Sequence, residues 1–245
     1  MKNYKNNIMQ ILLCIILLLT CTTKSQSQSS KLQKIKDAAI ESPVSKIHNG
    51  HEYVDLGLSV MWATCNIGGT SPKDYGSYFA WGETNPKDLY DWSNYKYYNK
   101  QYDLIVKYYN GNKNRLDLSD DAAHVNWGGE WRIPTETEWT ELVENCTAKR
   151  EISIQLPDGL GQVSYGGIKF ISKINGNSII LPFAGGAVMR ELDDVRINGF
   201  YWSSTLYSDD STKAWGLYVD SSGGGVAILL RAYGQSIRPV FSPYH

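Results

Sequence analysis

Asn126-Trp-Gly-Gly-Glu-Trp-Arg-Ile-Pro-Thr-Glu-Thr-Glu-Trp139 carries the firmest structural signal in the chain. Thr135 offers a side-chain oxygen to the free N–H three residues on, and Glu138 reaches back to the Thr135 N–H, the reciprocal pair of a capping box. Pro134, just before the cap, is placed to pack on Trp139 as a hydrophobic staple. Trp139, Leu142, Val143 and Cys146 then recur at i, i+3, i+4 and i+7, one face of a helix. Upstream, Ser119-Asp120-Asp121-Ala-Ala-His124 supplies cap residues for a second, short helix.

On either side of this segment the pattern is of strands. Tyr53 to Cys65 reads as two short strands broken at Gly57, and Tyr75 to Trp81 as another, closed by Gly82. Residues 84–118 hold eight aromatic residues with no sustained period, which predicts a long irregular insertion pinned by rings. After the helix, Val163–Ile171, Ser178–Phe183, Phe200–Ser204, Ala214–Asp220 and Val226–Arg231 read as strands, with Gly223-Gly224-Gly225 as a turn. The last strand, Ser236 to Phe241, contains Pro239 and belongs at an edge or a strand end. Helices first and strands after them predict an α+β domain.

The ends of the chain place it outside the cytoplasm. Lys2 and Lys5 followed by the apolar run Ile11–Leu19 make an export signal too short to span a bilayer comfortably. Leu18-Leu-Thr-Cys21 resembles a bacterial lipobox with Cys21 as the lipidated residue; ordinary cleavage and secretion is the alternative, and an uncleaved membrane anchor a third. Residues 22–50 are rich in Ser, Gln and Lys and read as a flexible tether. Thr22-Thr-Lys-Ser25 lacks an acidic run, which favours a periplasm-facing anchor over surface display. The domain then occupies 51–245.

Composition excludes several functions. Of 24 Lys and Arg, the leader removes two, leaving 22 against 25 acids, a net charge of −3. No basic patch with interleaved aromatics is present, so nucleic acid is not the expected partner. Cys65 and Cys146 remain in the mature domain, either paired or as buried thiols. His48, His51, His124 and His245 show no zinc-ligand spacing. Asp117, Asp120 and Asp121, Asp193-Asp194 and Asp209-Asp210 read as solvated turns and caps, with a structural calcium as the one cofactor to consider; none fits an EF-hand loop.

Val54-Asp-Leu-Gly-Leu-Ser-Val60, Trp62-Ala-Thr-Cys65, Tyr78-Phe-Ala-Trp-Gly-Glu-Thr84, Asp120-Asp-Ala-Ala-His-Val-Asn-Trp-Gly128, Trp131-Arg-Ile-Pro-Thr135, Tyr201-Trp-Ser-Ser-Thr205 and Ile237-Arg-Pro-Val240 follow one another in order. Together they resemble the Fibrobacter succinogenes major paralogous domain family, seen in exported lipoproteins of Bacteroidetes. Asp121-Ala122 with Arg132-Ile-Pro-Thr-Glu136 and Glu138-Trp139 also resembles the formylglycine-generating enzyme superfamily. The resemblance implies a C-type-lectin-like fold, with two helices and a twisted antiparallel sheet under long loops. It does not fix function. The late cysteine pair of formylglycine-generating enzymes is missing, which weighs against that enzyme activity, and so are the Glu-Pro-Asn and Trp-Asn-Asp triplets of calcium-dependent lectins.

In diversity-generating-retroelement variable proteins, which the resemblance brings in, the final strands display the binding surface. Here that segment is Ala214–Ser236. Alternation sends Leu217 and Val219 inward and Tyr218 and Asp220 outward, and by the same parity Leu229 and Arg231 share a face while Val226 passes into the turn. Trp215 shares parity with Leu217 and is the weakest member. The expected recognition face is Trp215, Tyr218, Asp220, Leu229, Arg231 and Tyr233, in a non-enzymatic module that meets a protein or glycan at the cell envelope. A structural envelope or pilus-tip component, a retroelement-diversified protein and a formylglycine-generating-type enzyme are the alternatives. Trp127, Trp131 and Trp139 read as scaffold, and Arg132 and Arg238 as anchors for a carboxylate or carbonyl.

Overall fold

The computed structural model describes residues 46–109, 113–154 and 164–243. The leader, Cys21 and all but the end of the tether lie outside them. That end is already folded: β1 (Lys46–His48) pairs antiparallel with β2 (His51–Asp55), so the ordered domain begins ahead of residue 51. Among the described residues no helix is long and apolar enough to cross a membrane.

β2 turns at Gly57 into β3 (Met61–Ala63), and the sheet closes on β14 (Val240–Phe241) at its edge. The edge position suits Pro239, whose ring leaves no N–H to donate; its carbonyl accepts from Ala63 N at 2.9 Å. Two short pairs follow the chain outward, β4 (Tyr98–Asn99) with β5 (Leu104–Ile105) and, later, β9 (Gly186–Val188) with β10 (Glu191–Asp193). A three-stranded antiparallel sheet contains β6 (Cys146–Ile154), β7 (Ser164–Ser172) and β8 (Ser178–Pro182). A second contains β11 (Gly199–Leu206), β12 (Lys213–Asp220) and β13 (Gly223–Leu230). Two helices complete the domain, α1 (Ala122–Trp127) and α2 (Glu136–Asn145). The architecture is α+β with predominantly antiparallel sheets.

Both helix starts follow from their caps. Asp121 accepts from Ala123 N and His124 N to open α1. Thr135 and Glu138 form the reciprocal capping box of α2, and Glu138 also takes both guanidinium nitrogens of Arg132 at 2.8 and 2.6 Å. Arg132 is thus the carboxylate anchor its position predicts. Cys146 ends α2 rather than continuing it, because the chain turns there into β6.

The core is split by its own strands. Neighbouring residues alternate between two apolar clusters: Met61 and Trp62, Tyr201 and Trp202, Val240 and Phe241 each send one side chain each way. Strands buried on both faces show no polar alternation, which explains the continuous apolar reading of these stretches. The first cluster gathers Trp81, Trp127, Trp131, Trp202 and four tyrosines of the insertion, Tyr90, Tyr95, Tyr97 and Tyr108. The second sets Trp62 and Trp139, with ring centroids 4.8 Å apart, among Phe170, Leu181, Leu217 and Val219. Arg238 runs between them, fully buried, donating to Asn66 Oδ1 and to the carbonyls of Ala63 and Thr64.

Three expectations fail here. Tyr75–Trp81 is not a strand; it makes one isolated bridge, Phe79 to Gln235, because its neighbour is the irregular C-terminal run. Gly223-Gly224-Gly225 is not a turn but the first part of β13, opposite Asp220, Val219 and Tyr218, and the turn falls at Ser221-Ser222. A Cβ on Gly224 would stand 3.0 Å from both the Phe170 ring and Val219 Cγ1, so glycine here serves close packing. Val226 consequently sits mid-strand, opposite Leu217.

Asp121 is buried and also accepts from Ile133 N at 2.9 Å, which ties α1 to the approach of α2. Burial pushes its carboxyl up to about 6, against the opposing pull of three backbone N–H donors. A folded value above the unfolded one means that the native chain keeps a proton the unfolded chain has lost between about pH 4 and 6. The contribution of Asp121 to stability is therefore greatest below that window and falls as pH rises through it. Asp121→Asn cannot ionise, so its stability relative to the parent should improve by up to about 3 kcal/mol between pH 4 and pH 8. A constant offset will ride on this difference, since the new amide NH2 faces Ile133 N. Urea unfolding across that range measures the change, and a pH-independent difference would contradict the account.

Candidate functional site

The outer face of β11–β13 is set by register. Phe200 lies opposite Tyr218, Tyr218 opposite Gly225, Gly216 opposite Ala227 and Ala214 opposite Leu229. Directly paired residues share a face, so Phe200, Tyr218 and Leu229 look the same way. At the Ala214 end this face closes into the first cluster. Toward Tyr218 it opens, because a Cβ on Gly225 would meet nothing within 4 Å. The rings of Phe200 and Tyr218 are 5.4 Å apart.

β9 and β10 fold back along this face and border an open cavity of about 300 Å³ lined by Phe200, Leu229 and Tyr233, with Asp193 and Asp194 contributed from the β10 end. Glycine makes the return possible. Gly185 holds a left-handed φ of 64°, and a Cβ there would stand 2.1 Å from Asp193 O. Gln235 belongs to the same lining, and its backbone is fixed by reciprocal bonds to Phe79, both 3.0 Å. Only 4% of Gln235 is exposed, yet its Oε1 has no hydrogen-bond partner. Buried polar atoms are nearly always satisfied, so this oxygen is an acceptor left without a donor on a residue of the cavity lining.

The six expected residues separate into three groups. Leu229 and Tyr233 come together in the cavity, and Tyr218 lies beside them on the same face through Phe200. Asp220 faces outward as alternation predicts, but its carboxylate is committed to the hairpin turn, accepting from Ser222 N at 2.7 Å and Ser222 Oγ at 2.6 Å. It also accepts from Tyr218 Oη at 3.0 Å, and the two residues line a second hollow of about 310 Å³. Hydrogen bonds from Ser222 hold the Asp220 carboxyl below the usual carboxylate range. Trp215 is half-buried on the opposite face, opposite Ile228, with its ring 5.3 Å from that of Tyr207. It is no part of the cavity.

Arg231 is the plain error. It is completely buried: at this end of β13, where its N–H still bonds Thr212 O at 3.0 Å, the face closes over the first cluster, against which Leu229 also packs. Its guanidinium donates to Tyr95 Oη, Tyr108 O, Ser211 O and Lys107 O and lies 4.5 Å over the Trp81 ring. Burial lowers its pKa while the neighbouring Tyr95 acts to raise it. It is a clamp on the tyrosine-rich insertion.

Phe200 and Gln235 were missed. Phe200 was legible as a strand residue, but its partner face depends on pairing with Tyr218. Gln235 had one faint signal, a long polar residue within the otherwise buried run Gly234–Phe241. Asp193 and Asp194 were read as solvated turn residues, with calcium as the other possibility. At the other acidic cluster, Asp120 accepts from Lys96 and Lys107 and from Tyr108 Oη, and Asp117 pairs with Lys107 and Lys113. Burial alone would raise the Asp120 carboxyl; these partners outweigh it and hold it far below the usual range. Among the described residues no three His, Cys, Asp or Glu side chains converge as a metal site.

Both thiols are free in the structure, Cys65 half-buried and Cys146 buried. Burial pushes Cys146 up to about 11 and raises Cys65 as well, which keeps them protonated and poor nucleophiles. Comparison with family models, curated proteins and solved structures returns no match for this chain.

Proposed function

We propose that this protein is a non-enzymatic binding module of the cell envelope, lipid-anchored through Cys21, with a C-type-lectin-like domain of the Fibrobacter succinogenes major paralogous type. The observation that carries this reading is the open face of β11–β13. Phe200, Tyr218, Leu229 and Tyr233 meet there beside a buried acceptor with no partner. Rigid aromatic and aliphatic surface around a preset polar group favours recognition, since it buries area with little side-chain entropy to lose. The protonated thiols of Cys65 and Cys146 support the non-enzymatic part.

The ligand is a protein or glycan met at the envelope. The test displays the purified full chain to a glycan array and to envelope extract, beside a Phe200→Ser/Tyr233→Ser double variant. Both residues are half-exposed, so the variant should keep a thermal midpoint within a few degrees of the parent. It should lose at least tenfold in affinity for whatever the parent retains. Equal retention by both proteins would remove this face from the function.

A further inference from the structure

The chemistry of the cavity is one-sided. Two carboxylates contribute to its lining, no cationic side chain does, and the unpartnered Gln235 Oε1 is an acceptor. Asp194 uses one carboxylate oxygen to accept from Asn198 Nδ2 at 2.9 Å, and Asp193 Oδ1 accepts from Asp194 N at 3.0 Å. Each keeps a second oxygen. Arg190 lines the adjoining hollow, which shares Val188 and Asp193 with this cavity and also holds Asp91 and Glu191. Lys213, at the far end of β12, is paired with Asp210 at 3.0 Å. An anionic ligand would meet repulsion here with no compensating charge. A cation on an aliphatic stem would meet what it needs.

We propose that this cavity receives a basic side chain of a partner polypeptide, its stem along Phe200, Leu229 and Tyr233 and its charged head among the acceptors of Asp193, Asp194 and Gln235. This rests on the binding reading above and narrows the ligand to a protein. Three features carry it together. Aromatic faces attract ammonium and guanidinium groups as well as packing on methylenes. Acidic side chains at the lining steer a cation inward and reject an anion. A buried carbonyl oxygen with no donor is unfavourable, and a small turn of the Gln235 side chain toward the cavity would let a ligand N–H reach it.

The experiment uses the isotopically labelled full chain and follows the Gln235 side-chain amide by NMR. The probes are the capped tripeptides Gly-Lys-Gly and Gly-Arg-Gly, the Lys peptide acetylated on its side chain, the capped Gly-Glu-Gly, and methyl β-glucopyranoside. The Lys and Arg peptides should move the Gln235 signals saturably at millimolar concentration, and acetylation should weaken the effect at least tenfold. An Asp193→Asn/Asp194→Asn variant should weaken it to a similar degree. That variant keeps side-chain shape, and asparagine tolerates the left-handed backbone of Asp194, φ 59°. Raising the salt from 50 to 500 mM should weaken binding by the parent and have far less effect on the variant. Equal binding by the acetylated peptide overturns the proposal, as does a response to the glucoside with none to the Lys or Arg peptide. Both of those results leave the binding reading intact. If no probe moves Gln235 and no ligand retained by the parent does so either, both readings fall.

Discussion

Replacing Arg231 by alanine is expected to lower the free energy of unfolding by about 3–5 kcal/mol, a loss on the scale of breaking a buried charged network. The guanidinium is the donor for four acceptors on three separate stretches of chain: Tyr95 Oη, the carbonyls of Lys107 and Tyr108, and the Ser211 carbonyl before β12. Alanine leaves all four to find other donors and opens a void under the Trp81 ring, now 4.5 Å from the guanidinium carbon. The damage should be local before it is global. Tyr95 still donates to Trp81 O at 2.7 Å, and Tyr97 to Gly82 O at 3.1 Å, but among the described residues no other side chain bonds Lys107 and Tyr108 to the end of β13. Amide exchange should therefore accelerate first across 95–109. Arg231→Lys should recover less than half of the loss, since one ammonium with three donors cannot span the acceptors a planar guanidinium reaches. Urea unfolding gives the first number and exchange mapping the second. A loss below about 1 kcal/mol, or exchange unchanged across the insertion, would rule out the clamp.

Arg231 also marks where reading from sequence stops. The helices were legible because capping is local: Thr135 with Glu138, and Asp121 with Ala123 and His124, lie within three residues of one another. Tyr218, Leu217 and Val219 were legible because inward and outward positions alternate from Leu217 to Asp220. Arg231 was misplaced because alternation assigns a face without saying what covers it, and here Tyr95, Lys107 and Tyr108 of the insertion do. β6 went unread for a different reason. Thr147 to Arg150 are all exposed, so this stretch carries no buried face to announce a strand, and its order comes from pairing with β7. The glycines of β13 look like a turn by composition, and only the approach of Phe170 shows why a strand has none of the usual side chains there. The cavity lies furthest from any local signal. Phe200, Leu229, Tyr233 and Gln235 come from β11, β13 and the C-terminal run, and the β9–β10 hairpin that completes the lining is held to that run by reciprocal bonds between Ala187 and Gly234 at 2.7 and 2.8 Å.

Trp131→Ala should cost about 3–5 kcal/mol, near the top of the range for a buried aromatic. The side chain is fully buried and forms edge contacts with Trp127 at 5.2 Å, Phe241 at 4.9 Å and His48 at 5.5 Å. Its Nε1 donates to His48 O at 3.0 Å, so the ring joins the start of α2 to the first strand and the last. The position places it at the junction of several elements: Arg132, the next residue, makes reciprocal backbone bonds with Val240, both 2.9 Å. Truncation therefore creates a cavity and also removes the indole bond to the His48 carbonyl. The two contributions can be separated. Trp131→Phe keeps most of the packing and loses the donor, so it should cost about 1–2 kcal/mol. In both variants β1 and β2 should lose exchange protection before β11–β13 does, since His48 stacks on Phe241 at 4.0 Å and His51 on Trp127 at 3.7 Å around the same ring. If Trp131→Ala cost less than about 1.5 kcal/mol, or if β1 kept its protection, the tryptophan would be filling space without joining these elements. The Trp-Arg-Ile-Pro-Thr run would then set a helix start and nothing more.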